Sequence, residues 1–312
     1  MLKLILGRAG SGKTARIMEE IRQGVESRQG GLILLVPEQY SHEAERELCR
    51  VCGDSMSLYA EVLSFSRLAS RVEAEVGGGA KLLDKGGRLL CMALAVDAVA
   101  SRLRIYGQAR RSPELQESLL KAVDELKSAC VDSDALLKAS EAADGYLSDK
   151  LWDMSLILGA YEAVVARSGV DPSDRLARLA ENLQRSSIGP QSRVYIDGFI
   201  DFTAQEMLVI RALLRAGAEL TVCLTCESLK EGGEVFEMSR RAALALLRLA
   251  KECGCESEVE HMSERSPDKA PGLAFLEENL FGYTTERFDD RENSIELYLA
   301  DGIVEECELA AA

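Results

Sequence analysis

Leu2-Lys3-Leu4-Ile5-Leu6-Gly7-Arg8-Ala9-Gly10-Ser11-Gly12-Lys13-Thr14 runs from an apolar segment into a glycine-rich turn, and residues 7–14 fit G-x-x-x-x-G-K-[ST] without a mismatch. Glycines at these places let the backbone wrap an anion with several N–H groups pointing inward. In that arrangement Lys13 reaches the β- and γ-phosphates, Thr14 ligates Mg²⁺, and the start of the following helix adds a favourable dipole. The flanks suit such a loop. Leu2 to Leu6 is a short apolar strand, and Ile17, Met18, Ile21 and Val25 fall on one helical face. The stretch therefore predicts a P-loop for ATP and Mg²⁺, built from Gly7, Arg8, Ala9, Gly10, Ser11, Gly12, Lys13 and Thr14.

Outward from the loop, Leu32 to Val36 is a continuous apolar run, as expected of a strand buried on both faces. Ser41 or His42 opens a charged helix to about Cys52, and Val62 to Val76 reads as another, closed by Gly77, Gly78 and Gly79. Strands and helices alternating at this spacing predict an α/β, three-layer domain with a mainly parallel sheet. The character changes near Asp84. Helical periodicity recurs at Arg88 to Leu103, Glu114 to Cys130, Ser148 to Ser168 and Ser173 to Gln184, with a turn at Asp171-Pro172. The α/β pattern resumes after Gly189-Pro190. Strands are expected at Arg193 to Ile196, Glu219 to Leu224 and Ser294 to Leu299, and helices at Ala204 to Arg215, Ser239 to Cys253 and Leu273 to Phe281. The expected organisation is a discontinuous P-loop domain, residues 1–83 and 189–300, with an all-helical subdomain, residues 84–188, inserted into it. Residues 301–312, with Asp301 as helix cap, read as the start of a further element of a longer protein.

A nucleotide-hydrolysing site of this kind also needs an acidic strand end, one residue for Mg²⁺ and the next to polarise water. Val194-Tyr195-Ile196-Asp197 offers the first, but Gly198 follows where the second is needed, and Asp201 is the nearest substitute. Asp197 and Thr14 are thus the expected metal pair, the alternative for Asp197 being a cap on the next turn. No residue is assigned a catalytic role. Only six residues precede Gly7, too few for an upstream segment that contacts the base, so weak or nonselective nucleotide binding is expected.

The net charge of −15 argues against a generic nucleic-acid binder, although a partner could supply positive surface to a shared groove. The nine cysteines include Cys49/Cys52 and Cys223/Cys226, but with two histidines and no further clustering they read as reduced thiols. No apolar run approaches the roughly 20 residues that span a bilayer, and the N-terminus lacks the form of a signal peptide. A cytoplasmic protein without membrane contact is expected.

The order of these pieces resembles the first, RecA-like motor domain of superfamily 1 helicases. More narrowly, the chain resembles the N-terminal part of the AddB family, one half of the bacterial AddAB helicase–nucleases. The resemblance is carried by residues 7–14, Leu35-Val36-Pro37-Glu38-Gln39, Val62-Leu63-Ser64-Phe65-Ser66-Arg67-Leu68, and Ile196-Asp197-Gly198-Phe199 continuing through Asp201-Phe202-Thr203-Ala204-Gln205-Glu206. It implies a role in processing double-strand DNA ends for recombinational repair, beside an AddA-type helicase–nuclease partner. It implies a protein that is helicase-like in fold but poor as a motor, in agreement with Gly198. It also implies an iron–sulfur cluster in a C-terminal nuclease domain outside these residues. Ser64, Phe65 and Arg67 are possible contacts to single-stranded DNA, Phe65 by stacking and Arg67 on a phosphate. The alternative is that Phe65 and Leu68 only pack a helix onto the sheet. Glu38 lies in a loop that grips DNA in active helicases, where a carboxylate repels phosphate.

Two other classes share the loop. A small-molecule or nucleotide kinase would be compact and carry an arginine-rich lid, whereas Asp197 follows Lys13 at a long interval. A structural partner with a vestigial site would show no nucleotide-dependent thermal stabilisation.

Overall fold

Leu2, Leu4, Ile5 and Leu6 have no solvent exposure, and Leu32 to Leu35 are buried throughout. Strands of this kind need helices on both faces, and the computed structural model supplies them. It describes residues 1–53, 55–77, 81–107, 112–230, 233–262, 269–280, 285–289 and 295–312. Six strands form one sheet: β1 (Leu2–Gly7), β2 (Leu32–Leu35), β3 (Ala60–Leu63), β4 (Arg193–Ile196), β5 (Glu219–Thr225) and β6 (Ser257–Met262). Their order is β3-β2-β4-β5-β1-β6, and every pairing is parallel.

The helices are α1 (Lys13–Glu26), α2 (Ser41–Cys52), α3 (Phe65–Val76), α4 (Lys85–Val99), α5 (Pro113–Ser128), α6 (Ser133–Ala142), α7 (Gly145–Ser168), α8 (Arg175–Asn182), α9 (Ala204–Arg215), α10 (Glu237–Glu252), α11 (Pro271–Asn279) and α12 (Ile303–Ala311). Strand side chains alternate between faces. Ile5, Leu34, Tyr195 and Cys223 point into a core with Ile17, Met18 and Ile21 of α1 and Leu48 of α2. Leu4, Leu35, Ile196 and Val222 point the other way, onto α3, α8, α9 and α10. A third core lies among α4, α5 and α7, where Met92, Val123, Ile157 and Tyr161 are fully buried. Among the described residues, no helix is long and apolar enough to cross a membrane.

Several expectations are corrected. Val62 and Leu63 end a strand rather than begin a helix. The helix starts at Phe65, where the Ser64 hydroxyl caps it by accepting the Arg67 N–H at 3.2 Å. Strand β6 and helix α6 are additions to the expected elements. The strand expected at Ser294 to Leu299 is absent from 295–299, and Ser294 lies outside the described residues, as do Gly78, Gly79 and Phe281. Leu297 and Leu299 are almost fully exposed, so the alternation there has no sheet neighbour to pair with. Gly302, not Asp301, is the N-cap of α12, and the Asp301 N–H donates to the Glu305 carboxylate instead.

Candidate functional site

In a parallel sheet the carboxyl ends of the strands and the amino ends of the helices meet at one edge, which is where ligands bind. The 7–14 loop lies there, between β1 and α1. Gly12, the residue before α1, has φ 87°, a left-handed conformation that a side chain would strain. No side chain caps α1 and no acidic residue occupies its first turn, so its amino end keeps its positive character toward the loop.

Three features of this loop fit a polyphosphate. Lys13 is buried, and its ammonium donates to the Gly7 carbonyl at 2.8 Å and the Arg8 carbonyl at 2.7 Å. Desolvation by burial holds its pKa below the ordinary lysine value, against the opposing pull of Cys223, Asp197 and Glu277. The charge is therefore costly where it is, and a phosphate would compensate it better than two carbonyls do. The Ser11 hydroxyl is buried without a hydrogen-bond partner. Such a group is rare enough to ask for a missing ligand.

The third feature is the pair expected to hold a metal. Asp197 follows β4, one strand removed from β1, and its carboxylate accepts the Thr14 hydroxyl at 2.6 Å. A hydroxyl and a carboxylate in contact at the end of this glycine-rich loop are hard oxygen donors of the sort Mg²⁺ takes. The second carboxylate is not supplied by its neighbours. Gly198 has φ 81°, and a Cβ there would lie 3.2 Å from Pro37 Cδ, so both backbone and space oppose a glutamate. Asp201 turns to its own backbone, accepting the Phe202 N–H at 2.7 Å. A cavity of about 770 Å³ opens beside Thr14, Asp197 and Gly198, with Pro37, Tyr40 and Ala44 in its wall.

Arg8 leaves the loop axis for Glu227, and Ala9 and Gly10 are exposed. Ser64, Phe65 and Arg67 lie after β3, two strands from Asp197. They do not form one surface. Phe65 is 5% exposed and meets Phe199 edge-on at 5.5 Å, while Phe199 stacks on Phe202 at 5.3 Å. Its ring is thus occupied by packing and is not free to stack on a base. Ser64 is spent on its cap, and only Arg67 is exposed. All four cysteines of the Cys-x-x-Cys pairs are free, Cys223 and Cys226 being buried.

The sequence is similar to known proteins over nearly its whole length. The family described as "ADDB, N-terminal" matches residues 4–277. The B subunit of the ATP-dependent helicase/deoxyribonuclease from Desulforudis audaxviator is 35% identical over 99% of this chain and 28% of its own length. Proteins of the same name from Caldanaerobacter subterraneus subsp. tengcongensis and a Thermoanaerobacter species are 30% identical over the same shares. The chain thus spans about 28% of the length of these relatives. With the glycine loop, β4 and most of the helices inside the matched region, the chain belongs to the ADDB N-terminal family.

Proposed function

We propose that this chain is the helicase-like, RecA-type nucleotide-binding region of an ATP-dependent helicase/deoxyribonuclease, one that processes double-strand DNA ends for recombinational repair with an AddA-type partner. The observation that carries the reading is the 2.6 Å contact between Thr14 and Asp197, made across the intervening strand β5. It brings together two sequence-distant oxygens of the hard-donor kind that Mg²⁺ takes. Family membership, and the helicase/deoxyribonuclease name its relatives bear, support the larger setting. On this reading the sheet and the helices on its faces form the P-loop domain expected of residues 1–83 and 189–300, and the insertion expected over 84–188 has a core of its own in α4 to α7, while α8 packs on the sheet core.

Lys13, Ser11 and the backbone of residues 8–12 would hold the phosphates, and Thr14 with Asp197 the Mg²⁺. When bound, the metal offsets charge on the phosphate oxygens. The chain's own residues would position the nucleotide without activating water, because Gly198 provides no base. Calorimetric titration with ATP is expected to show saturable, Mg²⁺-dependent binding, weakened about tenfold in Asp197→Asn. Phosphate release should be no faster from the parent chain than from that variant. Equal binding by parent and variant, or brisk turnover by the parent, would remove Asp197 from the metal or restore a base to the site.

DNA binding, on this reading, belongs mainly to the assembled complex. Counterion release from phosphate contacts is the main source of nonspecific affinity, and a chain of net charge −15 offers little of it. Titration of a labelled single strand at physiological salt should not saturate at micromolar chain. Micromolar binding that Arg67→Ala abolishes would make the α3 start a DNA site in its own right.

A further inference from the structure

Helix α11 and the residue two before it lie against the outer wall of the glycine loop. The Lys269 ammonium donates to the Ala9 carbonyl at 3.1 Å and pairs with the Glu277 carboxylate. Arg8, inside the loop motif, donates to both carboxylate oxygens of Glu227 at 3.0 Å and reaches the Glu277 carbonyl at 3.4 Å. Its guanidinium also lies 5.9 Å from the Phe236 ring. Between loop and helix is a cavity of about 280 Å³, into whose wall the partnerless Ser11 is built, with His261, Met262 and Glu278 opposite.

The charges here are arranged against an arriving anion. The two cations that flank the loop, Arg8 and Lys269, are both engaged by carboxylates. Lys13 is itself folded onto Gly7 and Arg8. A polyphosphate would compete for the same donors, since guanidinium and ammonium groups bind phosphate and carboxylate by the same charge-assisted bonds. The competition is a fair one. Partly exposed ion pairs such as these are individually worth little, so a multiply charged ligand can exchange them.

We infer that α11 is an inhibitory latch on the loop: Glu277 and Glu227 hold Lys269 and Arg8 away from the phosphates, and a bound nucleotide draws both cations off and loosens the helix. This rests on the nucleotide reading of residues 7–14. Coupling of this kind is reciprocal. Whatever lifts α11 tightens nucleotide, and nucleotide lifts α11.

The test uses this chain with ATP–Mg²⁺ and with inorganic triphosphate, because the latch acts on phosphates rather than on a base. Glu277→Gln keeps the side chain's size and removes its charge. It should tighten both ligands by about three- to tenfold, the range expected for one screened charge near the site. The backbone N–H groups of α11 after Pro271 in the parent should exchange faster when ATP is added. Unchanged or weaker binding by Glu277→Gln, or slower exchange in α11 with ATP, overturns the latch while leaving the site. Silence of the parent, Glu277→Gln and Lys13→Met alike at millimolar ATP overturns the nucleotide reading, and the latch with it.

Discussion

Replacing Asp171 with alanine will destabilise the chain by about 3–5 kcal/mol, because it removes the buried carboxylate shared by a buried lysine and a half-buried arginine. Asp171 has no solvent exposure. Its carboxylate accepts the Tyr161 hydroxyl at 2.8 Å, the Lys127 ammonium at 3.1 Å and the Ser173 N–H at 3.0 Å, and pairs with Arg88 at 2.9 Å. Lys127 continues to Asp174 at 2.7 Å, and Arg88 to Asp124 and Ser173. Gln205 of α9 donates to the Ser173 carbonyl at 2.9 Å. One carboxylate thus ties α4, α5 and α7 to the turn that leads back to the sheet. Urea unfolding of Asp171→Ala should show the loss as a lowered midpoint, and Lys127→Met combined with Asp171→Leu should recover part of it, since the buried lysine goes with its carboxylate while Arg88 keeps Asp124 and Asp174 is partly exposed to water. A midpoint within error of the parent would show that the cluster is loosely hydrated and carries little of the fold.

The same group sets an acid limit. Burial pushes the Asp171 pKa up, but the Ser173 N–H, Lys127, Tyr161 and Arg88 outweigh it and hold the carboxyl below its ordinary value. A carboxyl depressed in the folded state contributes stability that is full above its unfolded pKa, about 3.9 for aspartate. That contribution is lost as pH falls through the lower folded value. The unfolding midpoint of the parent should therefore decline below about pH 4, and that of Asp171→Ala should decline less.

The central strands and the loop were legible because they obey one rule each. Leu32 to Leu35 and Val194 to Ile196 are unbroken apolar runs, as strands buried on both faces must be. The glycine loop is defined by spacing, and Thr203 with Glu206 marks the start of α9 by a reciprocal capping box. The sheet edges were illegible for the opposite reason. In β6 the residues Glu258, Glu260 and His261 interrupt the apolar signal, and Glu260 is there to pair with Lys3 at 2.6 Å. In β3 the four strand residues run straight into a helix whose own apolar face continues them. Leu297 and Leu299, both almost fully exposed, show the converse. Alternation alone makes no strand without another strand beside it. The candidate site was half legible: Lys13, Thr14 and Asp197 follow from motif and strand end, whereas the packing of Lys269 and of α11, a helix the sequence did suggest, against the loop is a tertiary matter that no local pattern announces.

Lys13 yields the second large effect, and its two readouts must diverge. Its ammonium spends hydrogen bonds on the Gly7 and Arg8 carbonyls, at the cost of desolvation. Methionine fills the same space, loses those bonds and removes the buried charge, so the two changes oppose each other. The melting temperature of Lys13→Met without nucleotide should stay within a few degrees of the parent, roughly the span of 1 kcal/mol. Affinity for ATP–Mg²⁺ should fall about a hundredfold, as expected when a charge-assisted phosphate contact worth roughly 3 kcal/mol is lost. A parent chain saturated at 100 times its Kd gains about 2.7 kcal/mol of stability from ligand, and the variant at the same concentration should gain almost none. Because burial lowers the Lys13 pKa from 10.5, parental affinity should also begin to fall at a pH below that value, as the ammonium loses its proton. A large loss of stability in the free variant, with the ATP-dependent increment intact, would make Lys13 a packing residue and leave the loop without its phosphate ligand.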